Sequence, residues 1–239
     1  MVSATHSQRR VEVWDYPTRA FHWLLVLLIL VSWFTGEEEG VAAQVHLISG
    51  EIIAGMLVFR LVWGFIGGEH ARFADFAAGP NAVLRHVRDL MSSKPHRHLG
   101  HNPLGGLAVF LLLITTGVIV ATGLFSGEDE MRGPFAGLGP DLSEAHEVAF
   151  RVLQALVVVH ILGVIVETLR ARDPLVPAMI RGWKPRGEGE PGADAKRASA
   201  AAFLLALALG AATTAALAWM TPTAPIVQTE DSHERYEGD

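Results

Sequence analysis

The sequence predicts an all-α integral membrane protein, with a four-helix transmembrane bundle followed by a fifth, C-terminal transmembrane helix. Half of the 239 residues are hydrophobic and 18% are charged, which alone only reaches the top of the globular range. The clustering of the apolar residues decides the class. Three apolar stretches approach or exceed the ~18 to 20 residues that a spanning helix needs, and two shorter ones reach that length with their polar flanks. The five stretches are 24–34, 52–66, 104–125, 148–166 and 198–220.

A soluble all-α bundle with a buried central helix is the alternative to a membrane protein. Such a bundle would combine its buried helix with amphipathic ones, and no stretch of this chain is clearly amphipathic. The first apolar stretch is expected to remain as a span. It starts near Tyr16, has a histidine in its first turn, and lacks an A-x-A-like cleavage site before the acidic Glu37, unlike a signal peptide.

The segments between the spans differ in charge from one side of the predicted membrane to the other. The positive-inside rule therefore predicts a multi-pass membrane protein with a cytoplasmic N-terminus and an extracytoplasmic C-terminus. The basic side carries Arg9, Arg10, Arg19, Arg72, Arg85, Arg88, Lys94, Arg97, Arg170, Arg172, Arg181, Lys184, Arg186, Lys196 and Arg197. The other side has Arg132 and Arg235 among the acids of 37–39 and 128–130, Asp141, Glu230, Asp231, Glu234, Glu237 and Asp239.

A polar segment separates the first four spans from the fifth. The sequence GEGEPGAD, residues 187–194, is typical of a flexible linker. We therefore divide the chain into a four-helix transmembrane domain (1–187), a linker (188–197), the fifth helix (198–220) and an acidic extracytoplasmic tail (221–239). Whether a partner subunit binds at the fifth helix stays open at this point.

The absence of cysteine from the sequence limits the chemistry of the protein. It excludes disulfides, thiolate metal sites, cysteine-ligated iron–sulfur clusters and a haem attached covalently through C-x-x-C-H.

Four of the eleven histidines lie within or at the rims of predicted spans, where ionisable residues are costly and suggest function. His46 and His146 open spans two and four at the outer level, whereas His22 and His160 lie at the inner level. His146 and His160 are 14 residues apart, which places them on nearly the same helix face, roughly 21 Å apart along the axis. The other histidines outside the spans are expected to be solvated or to face headgroups: His6, His70, His86, His96, His98 and His233.

Two pairs of histidines at two depths suit two cofactors stacked across the membrane. Two neutral imidazoles on opposite sides of one metal are typical of six-coordinate haem iron, which helix bundles hold between facing helices. Zinc usually takes three or four protein ligands, and neither level offers thiols or paired carboxylates. We therefore expect two non-covalent haem b groups. Glycines could let the macrocycles approach the backbone, or could instead pack the helices together: Gly50, Gly105, Gly106, Gly117 and Gly163.

Two arginines are candidates for binding haem propionates, because guanidinium groups bind carboxylates through paired hydrogen bonds. Arg60 follows His46 by 14 residues and so falls on nearly the same face, at the inner level. Its alternative role is interfacial snorkelling. Arg151 lies just over one turn below His146, although helical periodicity rotates it by some 140°.

Several motifs together resemble the bacterial cytochrome b561 family, which includes the b-type cytochrome subunit of nickel–iron hydrogenases. They are FHWLLVLLIL after a W-D-x-P-T-R lead-in, FRLVWGFIG at the end of span two, GHNPLGG opening span three, and H-x13-H in span four. The resemblance covers roughly residues 10–187, so it does not extend to the fifth span or the acidic tail.

The resemblance implies a four-helix di-haem core in the bacterial inner membrane that exchanges electrons with membrane quinone and with an extracytoplasmic redox partner. It implies an inner haem held by His22 and His160 and an outer haem held by His46 and His146, the pairing that depth also gives. His101 in the G-H-N-P motif would contact quinone or a propionate, or simply cap the third span.

The leading functional hypothesis is therefore transmembrane electron transfer by a di-haem b-type cytochrome. Two axial histidines leave iron no open position for oxygen, and the acidic outer face could steer a basic partner such as a cytochrome c. One alternative is a superoxide oxidase that passes electrons to quinone, although only Arg132 and Arg151 would attract the anion outside. Another is a metal-ion transporter, disfavoured by the lack of mid-span carboxylates. We expect no nucleic-acid partner.

Overall fold

The computed structural model describes residues 10–92, 98–127, 131–185 and 194–221, and these residues are mostly helical. Two short strands pair antiparallel, β1 (Arg10–Glu12) with β2 (Trp183–Pro185). Two single 3₁₀ turns, Glu69–Ala71 and Phe73–Asp75, follow the second helix. The helices are α1 (Tyr16–Thr35), α2 (Val41–Ile66), α3 (Pro80–Leu90), α4 (Pro103–Gly123), α5 (Ser143–Arg170), α6 (Leu175–Arg181) and α7 (Ala200–Met220).

Five of these helices, α1, α2, α4, α5 and α7, are long and apolar enough to cross a membrane, with lengths between 20 and 28 residues. In α1, α4 and α5, only 11% of the most apolar window is buried inside the protein. Their apolar side chains therefore face outward, which suits lipid and would be unfavourable in water. The predicted all-α membrane fold with a fifth C-terminal span is confirmed.

Polar side chains set the first residue of three spans. The side chains of Asp15, Asn102 and Ser199 each accept a hydrogen bond from the backbone N–H three residues further on, as N-caps do. Pro17 and Pro103 occupy the first turns of α1 and α4, where the missing N–H costs no hydrogen bond. Asn102 therefore caps α4, and His101 does not.

The helices pack as two neighbouring pairs, α1 with α2 and α4 with α5, and α2 also contacts α4. The fifth span, α7, packs against α2. Their backbones approach closely at Gly55 and Gly210, where a side chain on Gly55 would overlap with Thr214 and with the Gly210 carbonyl. Small residues allow such approaches between membrane helices. This contact makes α2 the central helix, and 39% of its most apolar window is buried.

The region between the second and third spans contains a helix that the sequence analysis missed. In α3, His86 and Leu90 face the protein interior, whereas Leu84, Arg85 and Arg88 are exposed. The helix is therefore amphipathic, and the expectation that no stretch has this character is wrong. Its short length and its position beside four basic or imidazole side chains hid the pattern among apparent loop residues.

The segment before the fifth span is tied to the inner end of the bundle. Asp194 accepts a hydrogen bond from the Glu12 N–H, and the Lys196 carbonyl accepts one from the Glu69 N–H. The rest of the predicted linker (188–193) and nearly all of the predicted tail (222–239) lie outside the described residues. The proposed domain boundaries therefore remain predictions.

Candidate functional site

The helix bundle has an outer end and an inner end, named after the predicted orientation. The outer end carries His46 and His146, and the inner end carries the first residues of α1 and α4. On α5, His146, Leu153 and His160 recur every seven residues, close to two helical turns, and so lie along one face. Leu153 is 3% exposed and places an apolar side chain between the two histidine levels.

Helix α2 repeats this arrangement with a guanidinium at the inner level. His46, Ile53 and Arg60 are also seven residues apart. Ile53 and Arg60 are 5% and 3% exposed, respectively. The two helices therefore present an outer histidine, a buried aliphatic spacer and an inner polar residue, in the same order.

The outer histidines face each other. The ring centroids of His46 and His146 lie 6.1 Å apart, and the ring planes are inclined by 71°. Two metal–nitrogen bonds of about 2 Å each, added to the distance from nitrogen to centroid in both rings, separate two axial imidazoles by roughly 6 Å. The observed spacing therefore fits one iron atom between the two rings.

Backbone carbonyls orient both outer rings. Nδ1 of His46 donates to the Ser32 carbonyl at 2.9 Å, and Nδ1 of His146 donates to the Ile119 carbonyl at 2.8 Å. This leaves Nε2 of each ring as the unprotonated nitrogen, which is the form that binds a metal. The accepting carbonyls come from α1 and α4, the helices paired with α2 and α5.

Two glycines that the sequence analysis did not single out lie against these rings. A Cβ atom on Gly36 would lie 3.3 Å from the His46 ring, and one on Gly123 would lie 3.0 Å from the His146 ring. A larger residue at either position would displace the imidazole from the histidine ring that it faces. Only their positions in the sequence mark these glycines. Gly36 directly follows α1 and Gly123 is the last residue of α4, and each lies against the histidine of the next span.

The inner histidines come from α1 and α5. His22 and His160 lie near enough to interact electrostatically, and Nδ1 of His22 is buried without a hydrogen-bond partner among the described residues. A buried polar atom of this kind calls for a ligand or water. The donor set at this level is two imidazoles, which suits haem. Among the described residues, no group of three or more His, Asp or Glu side chains is arranged to hold a metal ion.

Arg60 and His101 lie in a buried cluster of polar and aromatic side chains at the inner end, called the inner cluster below. The Arg60 guanidinium carbon is 4.7 Å from the Phe73 ring centroid, and its Nη1 atom has no hydrogen-bond partner in the described part of the chain. The His101 ring lies between Trp14 and Phe76, with centroid distances of 4.5 and 4.3 Å. Nδ1 of His101 is likewise buried and unpartnered within the described ranges.

The protonation state of His101 follows from these surroundings. Burial, together with the nearby Arg60, His70 and Lys184 charges, lowers the pKa of His101 to about 3. The ring is therefore neutral at physiological pH, and one nitrogen can donate a hydrogen bond while the other accepts one.

Arg151 is placed differently from the other sequence-predicted residues. Its side chain is 70% exposed and donates to Glu147, one turn earlier on α5, at 2.6 Å. The rotation of about 140° from His146 directs it away from the histidine rings. The structure therefore does not bring Arg151 together with the outer pair.

The five glycines considered in the sequence analysis fall into two groups. Gly105 lies against the Asn102 cap, and Gly106 lies against the Phe76 carbonyl, so both serve packing. A Cβ atom on the other three would meet nothing within 4 Å, which leaves room for a bound group beside them: Gly50, Gly117 and Gly163.

Two carboxylates within the spans were missed by the sequence analysis. Glu51 of α2 is 8% exposed, and its side chain accepts a hydrogen bond of 2.5 Å from Thr221. Glu167 of α5 is 4% exposed and faces His86, whose Nε2 lies 3.3 Å from its Oε2 atom. The spans therefore do contain carboxylates, and the expectation that His86 is solvated is wrong.

Comparisons with known proteins identify the family of the chain. The chain is 25% identical to a probable Ni/Fe-hydrogenase B-type cytochrome subunit of Azotobacter vinelandii, over 77% of this chain and 92% of the relative. It is 22% identical to a probable Ni/Fe-hydrogenase 1 B-type cytochrome subunit of Escherichia coli, over 74% and 92%. No solved structure matches the chain. The family model described as prokaryotic cytochrome b561 matches residues 13–182, and the chain belongs to this family of membrane b-type cytochromes, which implies haem b and electron transfer.

Proposed function

We propose that this chain holds two non-covalent haem b groups and carries electrons between membrane quinone and a redox partner on the extracytoplasmic side. His46 and His146 hold the outer haem, and His22 and His160 hold the inner one. The facing outer rings, 6.1 Å apart with both Nδ1 atoms bonded to carbonyls, are the observation that carries the proposal.

Each haem, when bound, supplies an iron that alternates between the ferric and ferrous states. The chain supplies the axial imidazoles and fixes their orientation through Ser32 and Ile119. Ile53 and Leu153 exclude water from the space between the two levels. The Arg60 guanidinium is buried at the inner level, and its Nη1 atom has no hydrogen-bond partner among the described residues, so it is suited to bind an inner haem propionate.

The inner cluster is our candidate site for a quinone headgroup. A planar ring can pack against aromatic side chains such as Trp14 and Phe76, and a neutral His101 can donate a hydrogen bond to a quinone oxygen. Nδ1 of His101, which is buried and has no hydrogen-bond partner among the described residues, supports this placement. In the predicted orientation, this site faces the cytoplasm and the opposite end meets the redox partner.

The names of the relatives suggest the outer partner. Several are described as probable Ni/Fe-hydrogenase B-type cytochrome subunits, so a nickel–iron hydrogenase is our first candidate and a basic cytochrome c is the second. Acidic residues such as Glu37 and Asp141 at the outer end would steer a basic protein. For a basic cytochrome c, the rate of electron transfer should fall as ionic strength rises. A rate that is independent of ionic strength would exclude electrostatic docking.

Haem stoichiometry and reaction with quinone test the proposal. A pyridine haemochrome assay on the purified full chain should give two haem b per chain. Mixing reduced protein with decylubiquinone should oxidise the haems. A colourless protein, or one haem per chain, would contradict the cofactor assignment, and haems that stay reduced would contradict the assignment of quinone as a partner.

A further inference from the structure

A buried pair of ionisable residues lies at the inner end and is not used in holding haem. His86 and Glu167 are each 4% exposed, and their side chains approach to 3.3 Å. Withdrawing such groups from water is costly unless they are paired. Buried, paired ionisable residues are therefore candidates for a functional role as well as a structural one.

The pair lies next to the inner histidine level. Glu167 follows His160 by seven residues on α5, so it lies on nearly the same helix face, about 10.5 Å further toward the inner end. The seven-residue series of α5 thus continues past the inner histidine with a carboxylate. His86 approaches this carboxylate from α3, the amphipathic helix at the inner end.

A short segment joins the pair to the candidate quinone site at His101. The ring of His98 lies 5.1 Å from that of His86, edge to face. Three residues later, His101 lies between Trp14 and Phe76. Three residues span at most about 11 Å, so segment 98–101 places imidazoles at both ends of a short interval.

Other charged groups surround the pair at the inner end. Lys184 is fully buried, lies 2.6 Å from Asp173 and donates to the His98 carbonyl at 3.0 Å. Arg170 of α5 donates to the carbonyls of Leu90 and Ser92 at the end of α3.

We propose that His86 and Glu167 form the proton-transfer pair for quinone bound at the inner end. The inference rests on the proposed function. Reduction of a quinone takes two electrons, which arrive through the cytochrome, and two protons, each forming an O–H bond on one quinone oxygen. Each proton passes from the pair through His98 and His101 to the quinone, and a proton from the aqueous phase at the inner end replaces it. Quinol oxidation runs the same steps in reverse.

The test measures haem oxidation after reduced full-length protein is mixed with decylubiquinone, across a range of pH. The variants Glu167→Gln and His86→Gln remove the transferable proton. Loss of a positioned acid–base group costs typically about 10²-fold or more, so we expect oxidation to slow by that factor and its pH profile to change. Haem content and absorption spectra should match the wild type. Unchanged rates and pH profiles, with only lower thermal stability, would overturn the inference.

Arg170→Gln is the matched control, because it loosens the same α3–α5 junction without removing a proton-transfer group. It should lower thermal stability but keep the wild-type rate and pH profile. If it slows oxidation as much as the other two variants, the slowing comes from the loosened junction and the inference is overturned.

Three further outcomes are informative. If the glutamine variant at position 167 loses haem, Glu167→Asp retains a carboxylate and carries the test. A pH profile displaced from the wild type then supports the inference, and a coincident profile overturns it. If decylubiquinone does not oxidise the wild-type haems, the assignment of quinone fails and the proton-transfer role falls with it. If decylubiquinone oxidises the wild-type haems and the variants behave like the wild type, the assignment of quinone stands and the proton-transfer role of the pair is overturned.

Discussion

His46 and His146 each use one ring nitrogen to fix the ring and keep the other for a ligand. Because the accepting carbonyls belong to Ser32 and Ile119, the position of each ring depends on the helix packed beside it. Each proposed haem ligand and the residue that orients it therefore lie on different helices, and a change in either would alter the outer site.

Replacing an outer histidine should remove one haem and spare the other. We expect His46→Ala or His146→Ala to lower haem content from two per chain to one, because the inner pair lies roughly 21 Å away along the bundle. The pyridine haemochrome assay measures this directly. His22→Ala and His160→Ala should instead remove the inner haem, and His6→Ala serves as a control outside the spans. Two haems retained in either outer variant would refute the assignment.

The buried His101 should make stability depend on pH. Its pKa in the folded chain is about 3, below the ordinary value of 6.5, so the unfolded chain binds more protons between these values. Stability is therefore highest above pH 6.5 and is lost as pH falls toward 3. His101→Asn cannot titrate and should flatten this loss, as measured by the thermal disappearance of haem absorbance. An unaltered slope would exclude His101 as a source of it.

At the scale of elements, α7 is held by close backbone contact with α2 rather than by haem. Gly55→Leu would overlap with Thr214 and the Gly210 carbonyl, so the two helices must separate. Overpacking of this kind costs about 1–3 kcal/mol. We expect lower thermal stability and faster proteolysis within linker 188–197, with haem content unchanged because α7 has no histidine.

The matched control is Ala212→Leu, at an exposed position of α7. This variant should behave like the wild type in both measurements. Loss of haem in Gly55→Leu would show that α7 contributes to the haem sites, contrary to this expectation.

Helix α3 shows the limit of sequence reasoning at this scale. Its eleven residues are too few for a strong periodic signal, and its inward residues include a histidine. The pattern becomes clear only when Glu167 of α5 is seen opposite His86. By contrast, the spans required no partner to be identified, because lipid selects for apolar residues along the whole length of each helix.

At the scale of the whole molecule, the predicted orientation can be tested in a chain that lacks cysteine. A single cysteine introduced as Ser7→Cys or Ser232→Cys gives a unique label near either terminus. In right-side-out vesicles, a membrane-impermeant maleimide should label the second variant and not the first, because positive loops stay in the cytoplasm. The opposite pattern would reverse the orientation and exchange the inner and outer ends.

The sequence by itself determined the membrane class, the five spans, the family and the four histidines at two depths. The membrane class, the spans and the histidine levels depend on local composition and on helical periodicity, which each segment expresses alone, and the family was inferred from the resemblance of several motifs. Arg60 was also found in this way, since its spacing from His46 fixes its face and its level.

Only the tertiary structure decided which groups meet. It brought Ser32 and Ile119 to the outer rings, directed Arg151 to Glu147, and buried His86 against Glu167. These contacts join residues on different helices, or depend on how one helix rotates against its neighbours. Packing sets that rotation, and a single segment of sequence does not contain it.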